Sequence, residues 1–178
     1  MKMVNPASLL FVLFFFAVSK AESIIAPQPQ ELRSFKILNK QTQNQTAIKS
    51  SCSYTVTIKT SCSSVKFTRD SISLSFGDAY GNQVYAPRLD DPSSRTFEKC
   101  STDTFQIRGP CTYPICYLYV YRSGYDGWKP ETVSVYGPYS KVSFYYNTFI
   151  PNGIWYGFNL CKSNLNTDSS STSGAAVS

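Results

Sequence analysis

The residues of this 178-residue chain that could do chemistry are cysteines, aspartates and a few glutamates, because the chain contains no histidine. Without histidine, serine and cysteine lack the usual general base, and zinc lacks its commonest ligand. Glycoside cleavage needs two carboxyls at a fixed separation, and the candidates for it are Asp90, Asp91, Glu98 and Glu131. Adjacent aspartates before a proline are typical of a turn. We therefore expect a protein that is not an enzyme.

All six cysteines lie between positions 52 and 161. They are Cys52, Cys62, Cys100, Cys111, Cys116 and Cys161. An even number of cysteines in an exported protein predicts disulfides, here three, although spacing leaves their pairing open. A zinc site is disfavoured because the spacing contains no paired CxxC motifs and no histidine completes a mixed ligand set.

Five aspartates fall in predicted loops, where they are candidates for a calcium site. Calcium takes about six to eight oxygen ligands, mostly from carboxylates and carbonyls. The aspartates are Asp70, Asp78, Asp90, Asp91 and Asp126. The alternative is that they are solvated loop charges, in which case the protein needs no cofactor.

Aromatic residues in predicted turns are candidates for ligand contact. The most prominent are Tyr80, Tyr125 and Trp128, the last followed by Lys129. Tyr125 and Trp128 could enter a membrane interface while Lys129 and Arg122 meet anionic headgroups. The alternative is that Trp128 folds back and covers the end of the domain, because large aromatics are mostly buried.

The flanking segments predict export. Residues 1–21 have the basic start, apolar run and small-residue site of a signal peptide, and the apolar run is too short to span a membrane. Residues 22–51 form a polar arm that contains the glycosylation sequon at Asn44, and residues 162–178 form a Ser/Thr-rich tail with the composition of disorder. We expect a secreted glycoprotein of the extracellular space or cell wall, with no transmembrane segment.

The segment 52–161 predicts an all-β domain. Tyr54, Val56 and Ile58 alternate with polar residues, and Ile72, Leu74 and Phe76 alternate with serines, which is the period of a half-buried strand. Turn residues separate the runs and indicate a sandwich or barrel of about eight strands. The net charge of the whole chain is +6, and its basic residues are scattered along the sequence. This scatter disfavours nucleic acid as a partner.

Several motifs resemble a known domain. They are CSYTVTI at 52–58, TRDSISLSFGD at 68–78, FEKCSTDTF at 97–105, GWKPETVSV at 127–135 and WYGF at 155–158. In this order they resemble the PLAT (lipoxygenase-homology) β-sandwich. With FGDAYGN, GPC and FIPNGIWYGF, the chain is similar to the plant embryo-specific protein 3 family. In place of the usual Gly-Thr-Asp, however, this chain has Thr68-Arg69-Asp70, which weakens any transfer of calcium binding.

This resemblance implies two four-stranded antiparallel sheets, protein or lipid ligands, and a role in embryo or seed development. A protein partner would be extracellular or in the secretory pathway, and a lectin that reads the glycan at Asn44 is one form of it. The alternative is a structural or interaction glycoprotein of the extracellular matrix with no lipid contact. If the first and last strands are neighbours, as in PLAT-like sandwiches, the predicted pairs are Cys52–Cys161, Cys111–Cys116 and Cys62–Cys100.

Overall fold

The computed structural model describes residues 27–34, 36–37, 51–89 and 95–162, and within these ranges every regular element is a strand. The strands are β1 (Gln30–Leu32), β2 (Ser51–Thr60), β3 (Ser71–Gly77), β4 (Gln83–Ala86), β5 (Thr102–Pro110), β6 (Tyr117–Ser123), β7 (Pro130–Tyr136), β8 (Lys141–Tyr145) and β9 (Trp155–Asn159). The all-β prediction is confirmed. Eight of these strands form two four-stranded sheets, and β1 adds a ninth strand to one of them.

The two sheets are antiparallel, and strands that are adjacent in sequence often lie in different sheets. The five-stranded sheet has the order β1-β9-β6-β3-β4, and the four-stranded sheet has the order β5-β2-β7-β8. The hairpins β3–β4 and β7–β8 join neighbouring strands of one sheet, whereas the chain passes from one sheet to the other between β2 and β3. Loops therefore collect at the two ends of the sandwich, where they can present side chains to solvent.

The core consists of the inward side chains of both sheets. In β2 the side chains of Tyr54, Val56 and Ile58 are fully buried, and the residues between them are half-buried. In β6, Leu118 and Val120 are buried against the same core, as are Val133 and Val135 of the four-stranded sheet. In β2 the alternation that predicted the strand is thus the alternation between the core and the outside of the sheet, whereas in β3 the intervening Ser73 and Ser75 are buried as well.

Part of the predicted arm belongs to the fold. Residues Gln30–Leu32 form β1, which pairs antiparallel with β9 and places Glu31 opposite Tyr156. This strand covers the edge of β9, whose backbone groups would otherwise lie unpaired. The arm was predicted as a linker because three residues are too few to show an alternating pattern. The signal segment 1–21, Asn44, Asp90, Asp91 and residues 163–178 lie outside the described residues.

The predicted disulfide pairing is wrong for two of the three bonds. The structure contains Cys52–Cys111, Cys62–Cys100 and Cys116–Cys161. The prediction assumed that β2 and β9 are neighbours, but they lie in different sheets. Cys52 is opposite Gly109 in β5, two residues before Cys111, and the Leu160 N–H donates to the Cys116 carbonyl at 2.8 Å beside Cys161. Cys62–Cys100 is the predicted pair that the structure contains.

No helix in the described ranges is long and apolar enough to cross a membrane.

Candidate functional site

The aromatic residues predicted for ligand contact are divided between the two ends of the sandwich. β3 and β6 are antiparallel, with Gly77 opposite Tyr117 and Ser71 opposite Ser123. Tyr80 follows β3 and Tyr125 follows β6, so the two tyrosines lie at opposite ends. The sequence therefore identified parts of two surfaces rather than one loop.

One end, here called the aromatic end, exposes Phe67, Tyr125 and Phe149. Their exposed fractions are 46%, 103% and 50%. Contacts link their loops: the Arg69 guanidinium lies 5.3 Å from the Phe67 ring centroid, and the Arg69 N–H donates to the Asp126 carboxylate at 2.8 Å. Phe149 lies beside Gly127 on the other side of the same loop.

Basic side chains surround these aromatics. Lys66 and Arg69 are exposed on either side of Phe67, and Lys99 is exposed on the neighbouring turn, where its N–H donates to the Lys66 carbonyl at 3.0 Å. Lys129 is half-buried, and its N–H donates to Ser64 Oγ at 3.0 Å. Exposed apolar rings and cations thus occur together at this end.

Trp128 is not part of the exposed surface. Its side chain is fully buried, its indole N–H donates to Thr60 Oγ1 at 3.1 Å, and its ring centroid lies 4.9 Å from that of Phe97. The hypothesis that Trp128 enters a membrane is therefore wrong, and the alternative, in which it covers the end of the core, is the one observed. The buried N–H has its partner, as a tryptophan inside a core requires.

Arg122 is also buried and unavailable to headgroups. Its guanidinium forms an ion pair with Asp70 and donates to the carbonyls of Ile150 at 2.8 Å and Gly124 at 3.1 Å. The Asp70 carboxylate accepts the N–H groups of Asp126 and Gly127, each at 3.0 Å. This pair ties the loop after β6 to the loop that carries Phe149, and so positions two of the exposed aromatics.

The environment of Asp70 favours its charged form. Burial opposes the charge, but the backbone N–H of Asp126, the Arg122 guanidinium and the N–H of Gly127 together hold the pKa of Asp70 below its ordinary value. Gly124 is needed here, because it has φ of +152° and a Cβ at that position would overlap the Asp70 carboxylate. The buried Arg122 guanidinium is thus the cation that pairs with Asp70 and links the loops at this end.

The three described members of the predicted calcium set, Asp70, Asp78 and Asp126, do not form one site. Asp70 and Asp78 lie at opposite ends of β3, more than about 20 Å apart at roughly 3.3 Å per residue. Asp78 accepts the N–H groups of Tyr80, Asn82 and Tyr113 within its own end. Asp126 accepts from Arg69, and Asp70 from Arg122. In the described part of the chain no three acidic, histidine or cysteine side chains form a metal-binding group.

The other end, here called the tyrosine end, exposes Tyr80, Tyr113 and Tyr139. The rings of Tyr80 and Tyr113 are 4.9 Å apart, and both loops are fixed by the Asp78 carboxylate. The loop of Tyr139 is joined to them through the Ile115 N–H, which donates to Ser140 Oγ at 3.3 Å. Exposed fractions of 61% to 72% leave all three rings open to solvent.

The sequence argument missed Phe67, Phe149 and Tyr139. Phe67 stands between Lys66 and Thr68 in a segment rich in serine and threonine, and Phe149 precedes Ile150-Pro151. Each is an aromatic residue next to turn-forming residues, and this sequence pattern could have identified it as a candidate for ligand contact. Of the carboxylates considered for acid–base chemistry, Glu131 forms an ion pair with Lys59 at 2.6 Å.

Comparison with known proteins gives a consistent result. A family model described as embryo-specific protein 3 (ATS3) matches residues 37–161. The chain is 54% identical over 171 residues to embryo-specific protein ATS3A of Arabidopsis thaliana, covering 96% of this chain and 93% of that protein. It is 55% identical over 157 residues to embryo-specific protein ATS3B of the same plant, covering 88% of this chain and 80% of that protein. These relatives are named as embryo-specific proteins and not as enzymes.

Among solved structures, the chain is similar to parts of larger proteins. A lipoxygenase variant matches with a TM-score of 0.53 and 19% identity, over 62% of this chain and 17% of that one. Coral 8R-lipoxygenase, in which a C2-like domain mediates calcium activation, matches with a TM-score of 0.50 and 18% identity, over 59% of this chain and 17% of that one. Alpha toxin from Clostridium absonum matches with a TM-score of 0.51 and 20% identity, over 64% of this chain and 33% of that one. The fold is that of the lipoxygenase PLAT domain, and this chain spans only a small part of these proteins.

Proposed function

Because the chain belongs to the embryo-specific protein 3 family, we propose that it is a non-catalytic PLAT-like binding module whose aromatic end binds anionic lipid surfaces. The observation that carries this proposal is the joint exposure of Phe67, Tyr125 and Phe149 beside Lys66 and Lys99. Aromatic rings favour the membrane interface, and each basic residue near an anionic surface contributes about 1 kcal/mol.

The aromatic end is held rigidly, which favours binding. The Asp70–Arg122 ion pair and its backbone hydrogen bonds fix the loop of Tyr125, and Ile150 N–H donates to the Trp128 carbonyl at 3.0 Å beside Phe149. A preformed surface loses little conformational entropy on binding. Because the buried Arg122 guanidinium already neutralises the Asp70 carboxylate, we expect lipid binding that requires no calcium.

We further propose that the protein acts outside the cell, in the apoplast or cell wall, as the signal-like segment 1–21 predicts. Three disulfides are in keeping with an oxidising compartment. A role in embryo or seed development is proposed from the names of the relatives.

A second candidate function, binding to a protein of the extracellular matrix without lipid contact, is favoured by the tyrosine end. Tyrosines on rigid loops are typical of protein-binding surfaces. Tyr80, Tyr113 and Tyr139 are such residues, and the bonds Cys52–Cys111 and Cys116–Cys161 close the loops around them.

Co-sedimentation with liposomes tests the lipid proposal. The oxidised protein should sediment with phosphatidylserine-containing vesicles but only weakly with phosphatidylcholine vesicles, and equally in calcium and in chelator. Phe149→Ala and Tyr125→Ala should each reduce binding, and Lys66→Glu with Lys99→Glu should weaken it by roughly tenfold or more.

Tyr139→Ala is the matched control, because it removes an exposed tyrosine at the opposite end. If Tyr139→Ala reduces vesicle binding as much as Tyr125→Ala does, or if binding requires calcium, the proposal is wrong. Normal folding of each variant is checked by its melting temperature.

A further inference from the structure

The outward face of the four-stranded sheet, here called the polar face, carries an unbroken row of small hydroxyl side chains. Strand register places Thr104 opposite Thr57, Thr57 opposite Ser134, and Ser134 opposite Ser143. These four residues form a central row that crosses all four strands. With strands about 4.8 Å apart, the row is about 14 Å long.

The hydroxyls of the central row are paired but retain capacity for further hydrogen bonds. The Oγ1 atoms of Thr57 and Thr104 form a hydrogen bond at 3.4 Å, and the Oγ atoms of Ser134 and Ser143 form one at 2.7 Å. A hydroxyl donates one hydrogen bond and accepts two, so each pair can still bond to a ligand. The pairs also fix the side-chain rotamers, so a ligand meets an ordered row.

Larger side chains stand on both sides of this row. Tyr136 lies opposite Lys141, and the Lys141 ammonium is 4.9 Å from the Tyr136 ring centroid. Tyr145 stands on the other side, opposite Thr132. Each is two residues along its strand from the row, a distance of about 7 Å. With exposed fractions of 40% and 68%, Tyr136 and Tyr145 stand on opposite sides of the half of the row that lies on β7 and β8.

The other outward face is different, because its aromatics pack on one another. Trp155 lies 5.4 Å from Tyr121 and 6.1 Å from Tyr85, and these rings are only partly exposed. On the polar face, by contrast, the two tyrosines stand apart from each other on opposite sides of the row. The Tyr145 ring is open to a ligand, and the Tyr136 ring is partly open, with the Lys141 ammonium over one of its faces.

The charge of the polar face is positive. In the described residues the ion pairs are Lys59–Glu131 and Arg122–Asp70, so Lys141 on β8 and Arg108 on β5 have no acidic partner there. Arg108 and Lys141 are both exposed and stand on the two edge strands of the sheet. Both cations lie on the same side of the central row: Lys141 is two residues, about 7 Å, from Ser143, and Arg108 is four residues, about 13 Å, from Thr104.

We propose that the polar face binds a linear polysaccharide that carries carboxylates, such as a chain of uronic acid residues. The central row bonds to sugar hydroxyls, Tyr136 and Tyr145 pack against the apolar faces of the rings, and Lys141 and Arg108 pair with the carboxylates. This site lies on a sheet face, away from the aromatic end, and it adjoins the tyrosine end only where Tyr136 and Lys141 flank the turn that carries Tyr139. It goes beyond the lipid and protein binding proposed above.

The test is a titration of the full-length oxidised protein with oligogalacturonate, compared with its methyl-esterified form and with neutral cello-oligosaccharides. We expect binding to oligogalacturonate that weakens with salt. Lys141→Glu combined with Arg108→Glu should weaken binding by about tenfold or more. Tyr145→Ala and Ser143→Ala should each weaken it several-fold without lowering the melting temperature.

Tyr125→Ala is the matched control, because it removes an exposed tyrosine from the aromatic end, and it should bind the oligosaccharide normally. The proposal is overturned if oligogalacturonate does not bind or if the methyl-esterified and neutral glycans bind equally well. It is also overturned if Tyr145→Ala and Ser143→Ala have no effect while dextran sulfate competes fully, which would indicate a general affinity for polyanions.

Discussion

Trp128 and Tyr125 lie in the same loop, yet one is fully buried and the other fully exposed. The difference arises from the backbone of the loop. Gly127, with φ of +81°, turns the chain back toward the sandwich, and the Asp70 carboxylate accepts the N–H groups of Asp126 and Gly127. Trp128 is thereby directed to Thr60 and Phe97, and Tyr125 remains at the tip.

Replacement of these two aromatics should therefore have opposite effects on stability and on binding. Trp128→Ala removes a fully buried ring and should lower the free energy of unfolding by about 3–5 kcal/mol. Tyr125→Ala removes an exposed ring and should change it by no more than about 0.5 kcal/mol. Urea denaturation measures both. Equal losses for the two variants would contradict the positions described.

The Asp70–Arg122 pair should make stability depend on pH. The pKa of Asp70 is lowered by folding, so its carboxylate stabilises the fold above the ordinary value of 3.8, and this contribution is lost as the pH falls through the lowered value. Asp70→Asn should lower the free energy of unfolding by about 3 kcal/mol at neutral pH, because it leaves Arg122 buried without its partner.

The difference between wild type and Asp70→Asn should then narrow in acid, where the wild-type carboxyl is itself protonated. Denaturation at a series of pH values measures this difference. Glu131→Gln is the control: it breaks the exposed pair with Lys59 and should cost less than about 1 kcal/mol. A difference for Asp70→Asn that stays constant between neutral and strongly acidic pH would show that the ion pair contributes nothing.

At the scale of strands, the assignment of each strand to a sheet determines which cysteines meet. β2 pairs with β5, which brings Cys52 to Cys111, and β6 pairs with β9, which brings Cys116 to Cys161. Each bond therefore joins two neighbouring strands of one sheet at the tyrosine end. The bonds reinforce contacts that the hydrogen-bonded ladders already make.

Peptide mapping of the unreduced protein should recover Cys52 linked to Cys111, and Cys116 linked to Cys161. Replacing both Cys116 and Cys161 with serine should lower the free energy of unfolding by up to about 4 kcal/mol, because the bond closes a loop with a sequence separation of 45. Recovery of a peptide that joins Cys52 to Cys161 would contradict the sheet order.

The described part of the chain is a sandwich with three candidate binding surfaces. The aromatic end and the tyrosine end lie at opposite ends of the strands, and the polar face lies on the outside of the four-stranded sheet. Because mutations at distant sites add independently, a variant of the aromatic end should leave the other two surfaces unchanged. This separation makes the matched controls of the proposed experiments possible.

Native-state hydrogen exchange should reflect the same architecture. The amides of β2, β7, β6 and β3 should exchange most slowly, since each has a hydrogen-bonded neighbour of at least 4 residues on both sides, whereas β9 has only the 3-residue β1 on its outer side. β1 has three residues, is paired only with β9 and carries no fully buried side chain, so its amides should exchange first. Equal protection of β1 and β6 would show that β1 belongs to the cooperative core.

The sequence by itself determined the all-β class, the core residues and the family. Period-two alternation is a local property that requires no knowledge of neighbours, and it correctly assigned Tyr54, Val56 and Ile58 to the core. The absence of histidine and the even number of cysteines are likewise properties of composition. The motifs that carried the resemblance are contiguous stretches of the chain.

Only the tertiary structure decided which residues meet. Sheet order separated β2 from β9 and so changed two disulfides, and the antiparallel pairing of β3 with β6 placed Asp70 and Asp78, and Tyr80 and Tyr125, at opposite ends. Arg122 looked like a surface cation in sequence, but it forms a buried pair with Asp70, 52 residues away. The central row of the polar face comes from four strands, and its register depends on hydrogen bonds between them. Such contacts depend on the path of the chain between strands, which local periodicity does not encode.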